Sequence, residues 1–132
     1  MTTTAPVCLA LVMGDFVWTD PNTGKKTILG TFNEIRPYRY PFTLPTLALY
    51  AVFSNGRGRV HIGLRVVDAT DSSEEPLAAT GQDFEFPDPL HTIEVPALFQ
   101  NITFSGPGDY RVQARAVGQT LMERRLLLKD PP

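Results

Sequence analysis

The chain has 132 residues, of which 42% are hydrophobic and 20% charged, and a formal net charge of −2; a chain of this size buries about two-thirds of its unfolded surface in one core. So mild a balance gives no global field to collect nucleic acid or an anionic membrane, and any partner must be met by a local patch. Cys8 is the only cysteine, which excludes an internal disulfide, and the apolar run from Val7 to Met13 is too short and wrongly flanked for a signal peptide or a bilayer span.

The expected compartment is therefore the reducing cytoplasm. Nine of the twelve positive residues are arginines, the side chain suited to planar, bidentate contacts. Genome base composition accounts for the same bias without any binding role, and is the preferred explanation.

In chain order, residues 1–6 are expected to be disordered or extended. Val7 to Trp18 then runs almost continuously apolar, broken by Gly14 and Asp15, and predicts a buried or bulged strand. The turn signal Asp20-Pro21-Asn22-Thr23-Gly24 leads into a strand over Thr27 to Arg36, giving a first hairpin. Leu47 to Phe53 and Arg59 to Asp68 flank Asn55-Gly56 and predict a second. Along Arg59 to Asp68, Val60, Ile62, Leu64 and Val66 should face the core, with Arg59, His61, Gly63 and Arg65 outward.

Ala69 to Pro76 reads as an acidic loop, Leu77 to Phe86 as a weak strand, and Phe86-Pro87-Asp88-Pro89-Leu90 as a break. Ile93 to Phe104 is a strand that Pro96 places at an edge or bends. Tyr110, Val112, Ala114 and Ala116 point inward, with Arg111, Gln113 and Arg115 outward. After the Gly118-Gln119 turn, Thr120 to Lys129 forms the last strand, with a bulge expected near Met122 to Arg125. Residues 130–132 fray. About eight strands and no substantial helix predict an all-β, immunoglobulin-like antiparallel β-sandwich of about 7–9 strands, filling residues 7–129 as a single domain.

Pro107-Gly108-Asp109-Tyr110-Arg111-Val112, followed by Gly118, resembles the penultimate hairpin of many bacterial immunoglobulin-like domains. Tyr110 is then the tyrosine-corner or core-plug residue. Together with Val7-Cys8-Leu9-Ala10, Thr23-Gly24-Lys25, Leu29-Gly30-Thr31-Phe32, Arg65-Val66-Val67-Asp68 and Phe86-Pro87-Asp88-Pro89, it resembles a family of small bacterial proteins of unknown function. The resemblance implies a cytosolic single-domain sandwich with no activity assigned, and it carries over no functional residues.

Arg36-Pro37-Tyr38-Arg39-Tyr40-Pro41-Phe42-Thr43-Leu44-Pro45 is the most distinctive local sequence. Aromatic side chains interleaved with arginine and stiffened by proline present stacking surfaces and bidentate donors at small entropic cost. Arg36, Tyr38, Arg39 and Tyr40 are accordingly the candidate binding residues. The competing reading is a crossover between sheets in which Tyr38, Tyr40 and Phe42 cap the open end of the core.

His61 and His91 have no partner at metal-ligand spacing, so no metal and no cofactor are expected. A catalytic use would need one of them to meet a carboxylate. Cys8, in an apolar strand, should have a raised pKa and be a poor nucleophile. Asp15 faces water if Gly14 bulges, and is otherwise a buried carboxylate in need of a partner. The arginines at 57, 59, 65, 111, 115, 124 and 125 could gather on sheet faces, where Asp83, Glu85, Glu94 and Glu123 can neutralise them; nucleic acid is therefore not an expected partner. Trp18 either closes the core or stacks on a ligand.

The function expected from these readings is a non-catalytic interaction module binding another protein, or itself through an open sheet edge as a homodimer. The alternative is a small-ligand or carbohydrate module using Trp18 and the aromatic loop.

Overall fold

The alternating apolar residues of the middle and end of the chain become the facing layers of an all-β fold, with no helix among the described residues. The computed structural model describes residues 4–70 and 75–132. Half of the acidic loop expected over Ala69 to Pro76, residues 71–74, lies outside the described residues. The strands are β1 (Val7–Gly14), β2 (Phe16–Thr19), β3 (Lys26–Leu29), β4 (Glu34–Ile35), β5 (Phe42–Ser54), β6 (Gly58–Asp68), β7 (Ala78–Phe86), β8 (Ile93–Phe104), β9 (Gly108–Ala116) and β10 (Gln119–Leu128). They form a three-stranded sheet in the order β1-β5-β8, a five-stranded sheet in the order β4-β10-β9-β6-β7, and the separate hairpin β2-β3.

The two larger sheets enclose one hydrophobic cluster. Leu47, Leu49, Ala51 and Phe53 of β5 and Leu11 and Met13 of β1 meet Val60, Ile62, Leu64 and Val66 of β6, Tyr110, Val112, Ala114 and Ala116 of β9, and Leu126 and Leu128 of β10. The inward faces expected of β6 and β9 are the observed ones. Each fully buried Val, Leu or Phe contributes about 1.5–3 kcal/mol by leaving water. Tyr110 packs edge-on against Phe104, with centroids 4.8 Å apart and planes at 85°, and its hydroxyl donates to the Gly106 carbonyl at 2.9 Å.

There are ten strands among the described residues rather than 7–9, because the first expected hairpin divides. The chain bends at Asp15, whose N–H donates to the carbonyls of Leu29 and Gly30, and only β2 pairs with β3. Asp15 is exposed, so the buried-carboxylate alternative falls. The hairpin lies against β5 and β8, and so Ala48, on the outer side of β5, is buried.

The second expected hairpin does not exist. β5 pairs with β1 and β8, and β6 with β7 and β9, so Asn55-Gly56 carries the chain from one sheet to the other. A two-residue hairpin of the type that Asn-Gly favours needs positive φ at both positions. Asn55 has it (63°), whereas Gly56 is not among the positive-φ glycines. Gly56 serves packing instead, since a Cβ there would lie 2.8 Å from the Phe86 ring. β8 is an edge strand, as Pro96 required, pairing with β5 alone. The bulge in β10 lies between Thr120 and Met122, slightly before its expected place.

Candidate functional site

The aromatic connection is shorter than expected, because Phe42 already begins β5. Its flanks are tied to the end of the chain. Leu127 and Leu128 of β10 pair in parallel with Glu34 and Ile35 of β4, and the Lys129 N–H donates to the Ile35 carbonyl at 2.8 Å. Lys129 Nζ meets Glu34 Oε2 at 2.6 Å, and this hydrogen bond, with the lysine charge, draws the Glu34 carboxyl below its usual range.

Within the connection the four candidates separate. Tyr40 is half-buried, packs against the core and donates its hydroxyl to the Lys129 carbonyl at 2.7 Å. Desolvation raises its pKa, helped by Tyr110 and Asp130. Phe42 also packs on the core, so the capping role expected of this segment falls to these two. Pro37 is buried, while Arg36 and Arg39 are exposed and Tyr38 is 89% exposed. A phenol ring held almost wholly in water gains nothing from the fold.

A second assembly occupies the outer face of the five-stranded sheet. Near the start of β9, Arg111 forks onto Asp109 through Nε (3.0 Å) and Nη2 (2.8 Å) and reaches Glu123 through Nη1 at 2.9 Å. Arg125 adds a fourth charge, 3.4 Å from Asp109. The Arg111 hydrogen bonds draw the Asp109 carboxyl below its ordinary range, and those same bonds raise the guanidinium pKa. Gln113 links the ends of the face, accepting from Arg65 Nε at 2.7 Å and donating to Glu123 at 2.9 Å.

Towards the other end of β9 the face sinks into a trough of about 430 Å³, lined among others by Arg59, His61, Gly63, Arg65, Arg115 and Val117. Its floor follows from register, because Gly63 of β6 opposes Arg115 of β9 and, on its other side, lies beside Thr80 of β7. Arg115 donates to Thr120 Oγ1 at 2.6 Å and to the Gly118 carbonyl at 3.0 Å. Both acceptors sit in or beside the Val117–Gly118 turn, whose residues have positive φ (54° and 71°).

His61 Nδ1 lies 2.7 Å from Asp83 Oδ1, and Arg59 Nε donates to Asp83 Oδ2 at 3.1 Å. Sequence spacing hid this pair, because the residues are 22 apart and meet only through the β6–β7 register. The His61 and Arg59 bonds lower the Asp83 pKa. The dyad is open to solvent, with side chains 67% and 42% exposed. Among the described residues no hydrogen bond runs from His61 Nε2 to a hydroxyl or thiol that could act as a nucleophile.

The remaining candidates are dispersed. Cys8 is half-buried, and desolvation raises its thiol pKa as expected. Glu94 accepts the Tyr50 hydroxyl, whose pKa is pushed up to about 12 by desolvation and this bond. Trp18 is 47% exposed on β2 and stands outside the core cluster, so it does not close the core. Neither Trp18 nor any residue of 36–45 lines the trough. Among the described residues no three His, Cys, Asp or Glu side chains group as metal ligands, and no helix is long and apolar enough to cross a membrane.

The fold and these surfaces define an all-β protein whose two larger sheets share one core and which carries an exposed aromatic connection and a basic trough. The chain belongs to a family of unknown function, DUF6941, whose family model matches residues 9–129. No curated protein matches it.

Proposed function

We propose that the protein is a non-catalytic, immunoglobulin-like β-sandwich of the bacterial cytoplasm that binds another protein through its aromatic connection. Strand order supports the finer fold assignment. In immunoglobulin lettering β1, β5 and β8 read A-B-E and β10, β9, β6 and β7 read G-F-C-C′, with β4 running parallel to G. The Tyr110 hydroxyl, bonded to a carbonyl four residues upstream, supports it as a tyrosine corner.

The observation that carries the functional reading is Tyr38, 89% exposed between a buried Pro37 and a hydrogen-bonded Tyr40. Anchored flanks lower the ordering cost of binding, and tyrosine flanked by arginine is the composition that dominates contact energetics. Arg36 and Arg39 flank the ring, both exposed. Tyr40 belongs to the support of this site rather than to its contact surface.

The test is affinity capture from source-cell lysate with the wild type and with a Tyr38→Ser/Arg39→Ser variant that keeps Tyr40, both first checked for equal thermal unfolding. Loss of a specific partner in the variant is the expected outcome. Equal capture by both proteins removes the connection as the contact site. Light scattering of the pure protein separates self-association through the outer edge of β7 or β8, each of which pairs on one side only, from binding to a different chain.

A further inference from the structure

We propose that the trough over Gly63, between His61 and Arg115, is a binding site for a small organic anion, one carboxylate or phosphate group carried on a short apolar body. Three of its lining residues, Arg59, Arg65 and Arg115, are arginines and His61 stands beside them; Arg59 and His61 share the Asp83 carboxylate, and among the described residues none that lines the trough is acidic. The positive lining stands against a chain of net charge −2, so the local field, and not the global one, selects the ligand. The other lining groups are aliphatic or backbone, including Val60, Leu64, Ala79, Ala116 and the 56% exposed Val117. They suit the apolar body.

Two of the basic groups are set in place before any ligand arrives. Arg115 is tied to Thr120 and Gly118, both neutral acceptors, and meets no carboxylate among the described residues. Its positive charge is therefore oriented and uncompensated, the state in which a guanidinium binds an oxyanion most strongly. His61 is oriented by Asp83 through Nδ1, which leaves Nε2 for a ligand. The ring lies over Gly81, where a Cβ would stand 2.6 Å from Nε2. Glycine at 81 makes room for the imidazole, and glycine at 63 leaves the space beside Arg115 open.

The volume fits a small molecule, near the lower end of ordinary ligand pockets at roughly 300–1,000 Å³. Side chains along β6 set its length. His61 and Arg65 lie four residues apart on one strand face, which places their Cα atoms about 13 Å apart with the Arg115 row midway.

The test is a titration of the full chain, followed by amide and arginine Nε chemical shifts, with phenyl phosphate, phenylacetate and the neutral phenylacetamide. The expected result is saturable shifts at Gly63, Thr80, Gly118 and Arg115 with at least one of the two anions, and none with the amide. The anion that binds more tightly identifies the phosphoryl or carboxylate source. Arg115→Met should weaken binding about tenfold or more, as loss of a charge-assisted bidentate contact does, and Arg125→Met should leave it unchanged.

Gly63→Ile provides a second variant that keeps every charge and fills the floor. A Cβ at 63 meets only the Thr80 carbonyl, at an ordinary 3.4 Å, so the fold accommodates it, and binding should be lost. The proposal is overturned if neither anion shifts these signals at millimolar concentration, if phenylacetamide shifts them equally, or if both Arg115→Met and Gly63→Ile bind as the wild type does.

Discussion

Arg111 and Arg115 stand four residues apart on the same face of the same strand, yet one is fully engaged by carboxylates and the other by none. Arg111 holds Asp109 in a fork and Glu123 through its third nitrogen. Arg115 reaches a threonine hydroxyl and a backbone carbonyl. The difference arises in β10. The irregularity between Thr120 and Met122 sets Glu123 opposite Gln113, beside Arg111, and leaves Thr120 opposite Arg115. Without that extra residue Glu123 would oppose Val112 and share its inward face. The bulge that returns Leu126 and Leu128 to the core also decides which end of the sheet is neutralised. An arginine's role here follows from what the neighbouring strand places across from it.

The largest effect expected from breaking this contrast is on stability. Arg111→Met strips Asp109 of its bidentate donor and Glu123 of one of its two, and should cost about 1 kcal/mol after allowance for solvent screening. Arg115→Met should cost roughly 0.5 kcal/mol or less, as surface substitutions do. Urea unfolding of the two variants measures both. Equal losses would mean that the carboxylates at the Arg111 end do not set it apart.

Acid should sharpen the same contrast. The Asp109 pKa is lowered in the folded state by its Arg111 hydrogen bonds. Its contribution is therefore complete above the unfolded aspartate range, near pH 4, and is lost as pH falls through the lower folded value. Asp109→Asn should be less stable than the wild type at neutral pH, and the gap should close below about pH 4. Asp83 and Glu34, also lowered, keep some acid sensitivity in the variant. The Arg115→Met curve should run parallel to the wild type throughout. A gap for Asp109→Asn that stayed constant with pH would remove the ion pair as its cause.

The fold was legible where a period of two repeats long enough to be unmistakable. Val60 to Val66 and Tyr110 to Ala116 face the core as their alternation requires. It was not legible where pairing depended on backbone geometry. Asn55-Gly56 has the composition of a hairpin turn, but Gly56 is used for its missing side chain beneath Phe86 and the chain changes sheets.

The sites divide in the same way. The proline-rich aromatic segment stood out by composition alone, and Tyr38 is indeed exposed there. Nothing local distinguishes Tyr38 from Tyr40, because the partner of Tyr40 is a carbonyl 89 residues away. The trough needed two registers at once, Leu64 and Arg65 against Thr80 and Ala79, and Gly63 against Arg115. Alternation had placed Gly63 outward, but its neighbours across the sheet come from distant parts of the chain.

These two tyrosines bring the contrast between engaged and available side chains to its finest scale, and the smallest stability effect of all is expected at Tyr38. Tyr40→Phe keeps the ring against the core and removes only the bond to the Lys129 carbonyl, a loss of about 1 kcal/mol. Tyr38→Ser removes a larger group, yet the urea midpoint should not move, because a ring 89% exposed in the native state gains little further exposure on unfolding. A midpoint that fell for Tyr38→Ser would mean that the ring supports the fold, and it would lose its standing as a contact residue. If the midpoint holds while partner capture is lost, the exposed tyrosine serves recognition and its half-buried neighbour serves to hold it there. Two residues apart, they would then divide the labour as Arg115 and Arg111 do across four.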